Sequence, residues 1–135
     1  MATASELVLI RRDSDVVMAR RSGRDMAKSI GFGSADQTRL ATAISELTRN
    51  VIKYAGDGEC TIYDESNDEC NRIRVVVEDH GPGIPDIETA MTDGFTTGGT
   101  LGAGLPGTRR LVKEFNIESQ PGLTRVEIAM EKQVW

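Results

Sequence analysis

Three side chains in the stretch "ISELTRNVIKYA" have the types and spacing for phosphate chemistry: Glu46, Asn50 and Lys53. On a helix turning about 100° per residue they fall within roughly 60° of one another. The apolar stripe Leu40, Ile44, Leu47 and Val51 is centred roughly 130° from Glu46, so the trio borders the buried face. Asn50 offers an uncharged oxygen suited to Mg2+, a cation that prefers oxygen ligands and shares phosphate oxygens with a nucleotide. Glu46, one turn earlier, is placed to orient a hydroxyl or a water, and Lys53 to neutralise phosphate charge. An ordinary solvated face with the same three residues remains an alternative on this helix alone.

A second group follows in "VVVEDHGPGIP". Ile73, Val75 and Val77 alternate, and a period of two places Asp79 in phase with them on the core-facing side of a strand. A carboxylate there is costly unless it is hydrogen-bonded. Ionised Asp only accepts, and the exocyclic amino group of a purine would supply a donor. The competing possibility is an Asx turn, with Asp79 bonded to the backbone two residues on. Gly81 and Gly83 allow the backbone to pass close to a flat ring, and Pro82 and Pro85 stiffen the turn. A third group, "GTLGAGLPG", carries Gly102 and Gly104 into a helix predicted to start near Leu105, where backbone amides form a phosphate cradle. Without the other two groups this glycine-rich run would also suit a plain connector.

The elements that must position these groups can be read from periodicity. "SELVLIRR" predicts a strand ending near Arg12, with Asp13 or Ser14 capping the helix that follows. Ala19, Gly23, Met26, Ala27 and Ile30 recur at helical spacing until "GFG" at residues 31–33 stops them. Ser34 with Gln37 forms a capping-box pattern at the start of the helix that bears Glu46. "ECTIYDE" and "RIRVVVED", joined by "SNDECN", predict a hairpin. A helix from Leu105 to about Phe115, then "NIES", a turn at "QPG" and a strand "TRVEIAM" complete the chain. Strands and helices do not alternate as in a parallel nucleotide-binding sheet. The expectation is therefore an α+β protein: a two-layer α/β sandwich with helices packed on one face of a mixed sheet.

Composition bounds the class. At 135 residues the chain suits a single domain spanning residues 1–135, long enough for a core without staples. A net charge of −5 and the lack of a basic stripe with interleaved aromatics argue against a dedicated nucleic-acid binder. No apolar run approaches the ~20 residues of a membrane span and the first residues do not resemble a signal peptide, so a cytoplasmic location is expected, without a membrane partner. Cys60 and Cys70 flank a polar turn with no histidine nearby, a poor metal pattern, and are read as structural. His80, the one histidine, is expected to be a partly exposed loop residue. Trp135, Arg109 and Arg110 suit partner contacts and plain surface equally well.

Taken in chain order, "ELTRNVIKYA", "EDHGPGI" and "LGAGL" resemble the N box and the two glycine boxes of the GHKL ATPase superfamily, the Bergerat-fold nucleotide binders. Within it, "AISELTRNVIKYAG", "EDHGPGIPDI" and "DGFTTGGTLGAGLPGTRRLVKEF" are similar to the switch serine/threonine kinases of the stressosome. The resemblance implies ATP and Mg2+ as cofactors, with Asn50 holding the metal, Asp79 meeting the adenine amino group and Glu46 acting as catalytic base or hydroxyl positioner. It implies a nucleotide lined by Lys53, Gly81, Gly83, Gly102, Gly104 and Leu105. Thr124 corresponds to the threonine of the last box, usually Gly-x-Gly-Thr, although "PGLTRVE" has Leu123 where the second glycine is expected. The segment from about Gly94 to Gly104 corresponds to a lid, expected to be mobile without nucleotide.

Three functions follow from that resemblance. One is a protein kinase acting on STAS-domain scaffold and antagonist proteins, and another a switch that activates a PP2C-type phosphatase; the resembled kinases combine the two. The alternative is an anti-sigma factor of the RsbW type, which sequesters a sigma factor. A histidine kinase would need a dimerisation helix pair, for which the chain has no room.

Overall fold

The computed structural model describes residues 4–83 and 104–134. In chain order it contains β1 (Ser5–Ile10), α1 (Asp13–Ile30), α2 (Ser34–Tyr54), β2 (Gly58–Asp64), β3 (Cys70–Asp79), α3 (Gly104–Leu111), β4 (Glu114–Gln120) and β5 (Leu123–Gln133). The strands form one sheet in the order β1-β2-β3-β5-β4. α1 and α2 pack on one another and on the same face of that sheet, and α3 packs on α2. The expected α/β sandwich is present, but every pairing among the described strands is antiparallel, where a mixed sheet was expected. For β2–β3 and β4–β5 the physical reason lies in the connections, which are hairpins with short turns that admit only antiparallel neighbours.

The inner face is continuous. Ile10, Cys60, Ile62, Ile73, Val75, Val77, Val126 and Ile128 meet Ala19, Ala27, Leu40, Ile44, Leu47 and Val51 from the helices in one core. The opposite face of the sheet carries charges in register. Arg72 pairs with Glu65 and Glu114, Arg74 with Glu65 and Glu127, and Arg125 with Glu127. The Arg74 guanidinium also lies 4.4 Å from the Tyr63 ring centroid. Alternation along each strand thus separates an apolar face, which the helices cover, from a face of mutually neutralising charges.

Several boundaries differ from the periodicity-based expectation. β1 stops at Ile10, and α1 is capped by neither Asp13 nor Ser14. The Asp15 carboxylate, in the first turn of the helix, reaches back to accept the backbone N–H groups of Arg11 (2.9 Å) and Arg12 (3.1 Å). The helix ends at Gly31, whose φ of 116° is left-handed. Ser34 and Gln37 do not form a capping box. Gly33 occupies the cap position of α2, and the Gln37 amide donates to the Phe32 carbonyl instead. α3 is shorter than expected, because Phe115 and Ile117 belong to β4, where they alternate with exposed Glu114, Asn116 and Glu118. The Lys113 N–H already bonds the Ala129 carbonyl of β5, so a period of two displaces the helical period there.

The hairpin β2–β3 closes through side chains. Asn67 Oδ1 accepts the N–H groups of Glu69 and Cys70, and Asp64 Oδ1 accepts that of Ser66, which matches the turn chemistry of these residue types. Both cysteines are free: Cys60 is buried and Cys70 half-buried. Burial pushes the Cys60 thiol up to about 12, which leaves it protonated and inert at neutral pH.

Gly58 decides how closely the end of α2 can approach the site-bearing end of β3. It lies opposite Asp79, and a Cβ there would fall 2.5 Å from the Glu78 carbonyl oxygen and 2.7 Å from Val51 Cγ1. Backbone cannot give way as a side-chain tip can. Gly58→Ala is therefore expected to lower stability by about 1–3 kcal/mol, read as a lower urea midpoint at an unchanged slope; an unchanged midpoint would show that this approach is looser than the structure has it.

Candidate functional site

At one end of the sheet the register lines up four residues across four strands. Gly58 of β2 lies opposite Asp79 of β3, Asp79 opposite Thr124 of β5, and Thr124 opposite Ser119 of β4. Thr124 shares the inner face with Val126, Ile128 and Met130, as its phase requires. Its Oγ1 lies 2.7 Å from Ser119 Oγ. The Leu123 departure from the last box therefore does not move Thr124 away from Asp79. Ser119 could not be singled out from sequence, because only the β4–β5 register brings it to this row.

Asp79 is buried at 8% exposure, and its Oδ1 accepts the Gly81 N–H at 3.0 Å. The Asx turn is thus made, and it coexists with a core-facing carboxylate. Loss of solvent pushes the Asp79 carboxyl above its ordinary value, while the Gly81 N–H and the neighbouring His80 pull it the other way. His80 is exposed, with Nδ1 3.2 Å from the Gly122 carbonyl oxygen. Gly81 accepts from the Gly122 N–H at 2.9 Å, which fastens the turn after β3 to the turn between β4 and β5.

Within the described residues, the two glycines of this turn answer to protein neighbours. A Cβ on Gly81 would fall 2.6 Å from Ala55 Cβ at the end of α2. Gly83 has a φ of 85°, and a Cβ there would fall 2.5 Å from the Gln120 carbonyl oxygen. They hold the turn tightly against α2 and against β4, directly beside Asp79.

The α2 trio shows a gradient of burial. Glu46 is 4% exposed, Asn50 is half-buried and Lys53 is exposed. Lys53 Nζ lies 5.2 Å from the Tyr54 ring centroid. Glu46 is buried although it lies well away from the apolar stripe of its own helix, so its burial is tertiary in origin. Its Oε2 is fully enclosed and has no hydrogen-bond partner among the described residues. Its Oε1 lies 3.5 Å from Nη1 of Arg49, which is one turn on and half exposed. Arg49 was not singled out from the sequence, although its spacing of three from Glu46 was a usable signal.

The third group is seen only in part. α3 begins at Gly104, and Leu105 enters the core at 8% exposure. Thr108, one turn on, is fully buried. Gly102 and most of the proposed lid, from Gly94 onward, lie outside the described residues. So does Trp135.

The residues present suit Mg2+ bound together with a nucleotide. No cluster of three or more His, Cys, Asp or Glu that could hold a metal alone occurs among the described residues. Asn50 supplies one neutral oxygen, one helical turn after Glu46, whose enclosed Oε2 has no donor among the described residues, and Mg2+ characteristically draws its other ligands from phosphates and water.

The described residues thus include a buried Asp at the end of a central strand, a Glu and an Asn on a helix packed against the sheet, and a later helix led by glycine. The model of the family described as Histidine kinase-, DNA gyrase B-, and HSP90-like ATPase matches residues 35–133, and the chain belongs to that family. Serine/threonine-protein kinase RsbT of Bacillus subtilis (strain 168) is 50% identical over 115 residues, which cover 85% of this chain and 86% of that one. Likeness of that extent makes this chain a protein kinase of the family. Anti-sigma F factor of Bacillus licheniformis is 30% identical over 89 residues, covering 62% of this chain and 61% of that one. Among solved structures, the RsbU and RsbW domains of a Mycobacterium tuberculosis protein match with a TM-score of 0.65 at 20% identity. That match covers 98% of this chain and 33% of the other. The mycobacterial sensor histidine kinase MprB matches with a TM-score of 0.57 at 19% identity, covering 95% and 97%. At these identities the two structures speak to the fold. No described helix is long and apolar enough to cross a membrane.

The raised Asp79 carboxyl has a consequence for stability. Between the ordinary value of 3.8 and the higher folded value, the folded state binds more protons than the unfolded one. Stability from this group is therefore present at low pH and lost as pH rises through that window. Asp79→Asn keeps an oxygen for the Gly81 N–H and removes the charge. At pH 7 its apo melting temperature is expected to equal or exceed that of the parent, while ATP affinity falls. Calorimetric titration with ATP beside a thermal melt tests both halves; full affinity would remove Asp79 from the site.

Proposed function

We propose that the chain is an ATP-dependent serine/threonine kinase of the RsbT type, which phosphorylates STAS-domain scaffold and antagonist proteins and, when released from them, binds and activates a PP2C-type phosphatase. The observation that carries the kinase reading is the enclosed Glu46 Oε2, which lies one turn before Asn50 and has no donor among the described residues. A carboxylate oxygen kept from water and from protein donors suits a hydroxyl that arrives with the substrate. Asn50 would hold Mg2+, which when bound offsets the charge of the phosphates. Asp79, with Thr124 beside it, would accept from the adenine amino group. Gly81 and Gly83 keep the adjoining turn low, Gly102, Gly104 and the Leu105 backbone would meet the phosphates at the start of α3, and Lys53 would attract them from the rim.

The partner assignment rests on likeness to RsbT, 50% identical over most of both chains, and on a structural neighbour that joins RsbU and RsbW domains in one protein. A second reading, a sigma-sequestering factor of the RsbW type, draws on the 30% identity to an anti-sigma F factor. Incubation of the purified chain with ATP, Mg2+ and a panel of STAS-domain proteins, followed by mass-spectrometric mapping, tests the first. Phosphoserine or phosphothreonine on a STAS-domain protein is the expected result. Stable capture of a sigma factor, without stimulation of a PP2C-type phosphatase, would favour the second. A cytoplasmic site of action goes with either.

Glu46→Gln is expected to retain ATP binding and to slow phosphoryl transfer by about 10² to 10⁴, the usual contribution of a general base. Asn50→Asp, by contrast, changes the charge at the metal position and is expected to alter Mg2+-dependent ATP affinity itself. Paired measurements of ATP affinity and single-turnover transfer separate the two roles, and a parent rate in Glu46→Gln would leave the mechanism without its base.

A further inference from the structure

We propose that Arg49 is a positioning residue for phosphoryl transfer: it holds Oε1 of Glu46 from the solvent side, so that the enclosed Oε2 is the oxygen left to take the proton of the incoming hydroxyl. This assignment rests on the reading of Glu46 as the base and goes beyond it, because it says which oxygen acts and what makes the two oxygens different.

The two carboxylate oxygens of Glu46 have unequal surroundings. Arg49 Nη1 lies 3.5 Å from Oε1, while Oε2 is enclosed and without a partner among the described residues. The side chains are 5% exposed for Glu46 and 52% for Arg49, so the guanidinium approaches from water toward a carboxylate that is out of it. An enclosed acceptor with no donor is unfavourable in the resting protein. A carboxylate that could swing freely would turn such an oxygen toward solvent. The i, i+3 spacing on α2 puts Arg49 on the same helical face, where its charge opposes that rotation. Arg suits the task because it stays protonated throughout and does not compete as a base.

In the step itself the substrate hydroxyl oxygen bonds to the γ-phosphorus of ATP, and the bond from that phosphorus to the bridging oxygen breaks. ADP leaves with the electron pair, and the hydroxyl proton passes to Glu46 Oε2. Arg49 neither gains nor loses a proton. Its contribution is orientation, for which misplacement by about 1 Å costs on the order of 10²-fold in rate.

The test measures ATP affinity by calorimetry and single-turnover loss of the γ-phosphate from ATP with Mg2+, using a STAS-domain protein as acceptor and, in a parallel arm, water alone. Arg49→Gln is expected to bind ATP within about twofold of the parent and to transfer roughly 10 to 10² times more slowly. Arg49→Lys is expected to recover part of the rate. In a Glu46→Gln background, Arg49→Gln is expected to add no further loss, since a residue that acts through Glu46 has nothing left to orient. A surface residue with a merely structural role would not produce that non-additivity, and a thermal melt checks that each variant is folded. A parent rate in Arg49→Gln beside a slow Glu46→Gln would overturn the assignment while leaving Glu46 as the base. An equal loss in both backgrounds, or a loss confined to the arm with protein acceptor, would also overturn it, the latter placing Arg49 in partner docking. A parent rate in Glu46→Gln would remove the base and this assignment together.

Discussion

The register of β3 between β2 and β5 is the constraint on which the rest of the molecule depends. Helices cover one face of the sheet, so a slip of one residue would carry Ile73, Val75 and Val77 to the charged face and Arg72 and Arg74 into the core. The hydrophobic pattern thus specifies the register strongly. The same pairing places Asp79 at the end of the strand with Thr124 on one side and Gly58 on the other. An apolar preference spread over a whole strand fixes the location of one polar group at its end.

That polar group and the one on α2 both work against stability. Asp79 is core-facing with its carboxyl pushed up by burial, and Glu46 holds an enclosed oxygen with no donor among the described residues. Among the described residues Asp79 accepts the Gly81 N–H and Glu46 Oε1 lies near the Arg49 guanidinium, while Glu46 Oε2 has no partner. The surrounding core is conventional, with branched aliphatic residues on the sheet and small or branched ones on the helices. Folding free energy from that core offsets the two exceptions, which is where a binding site is expected in a locally consistent sequence.

The glycines of "DHGPG" illustrate how one residue type can serve two purposes. Close approach was legible from the sequence, and a flat ring was the inferred neighbour. The nearest atoms within the described residues belong to Ala55 and Gln120, so the tight turn is first of all a matter of seating β3 against α2 and β4. A low, rigid turn beside Asp79 is what a nucleotide would need as well, and the two demands do not conflict.

Periodicity alone determined the two long helices, the β2–β3 hairpin, the last strand and the inward phase of Asp79 and Thr124, because each depends on short-range alternation that one stretch of chain carries by itself. The combination in chain order of a Glu and an Asn on a helix, an Asp-x-Gly-x-Gly after a strand and a glycine pair opening a later helix likewise pointed to nucleotide chemistry. Local signals failed where two of them competed: Asp15 rather than Asp13 or Ser14 caps α1, and Phe115 joins a strand because the Ala129 carbonyl is already within reach of Lys113. The antiparallel sheet, the neighbourhood of Ser119 and Thr124, the enclosure of Glu46 on the far side of its own apolar stripe and the inequality of its two oxygens were decided by tertiary structure. Each of these depends on residues brought together from distant segments or on solvent excluded by packing, and no window of sequence contains that information.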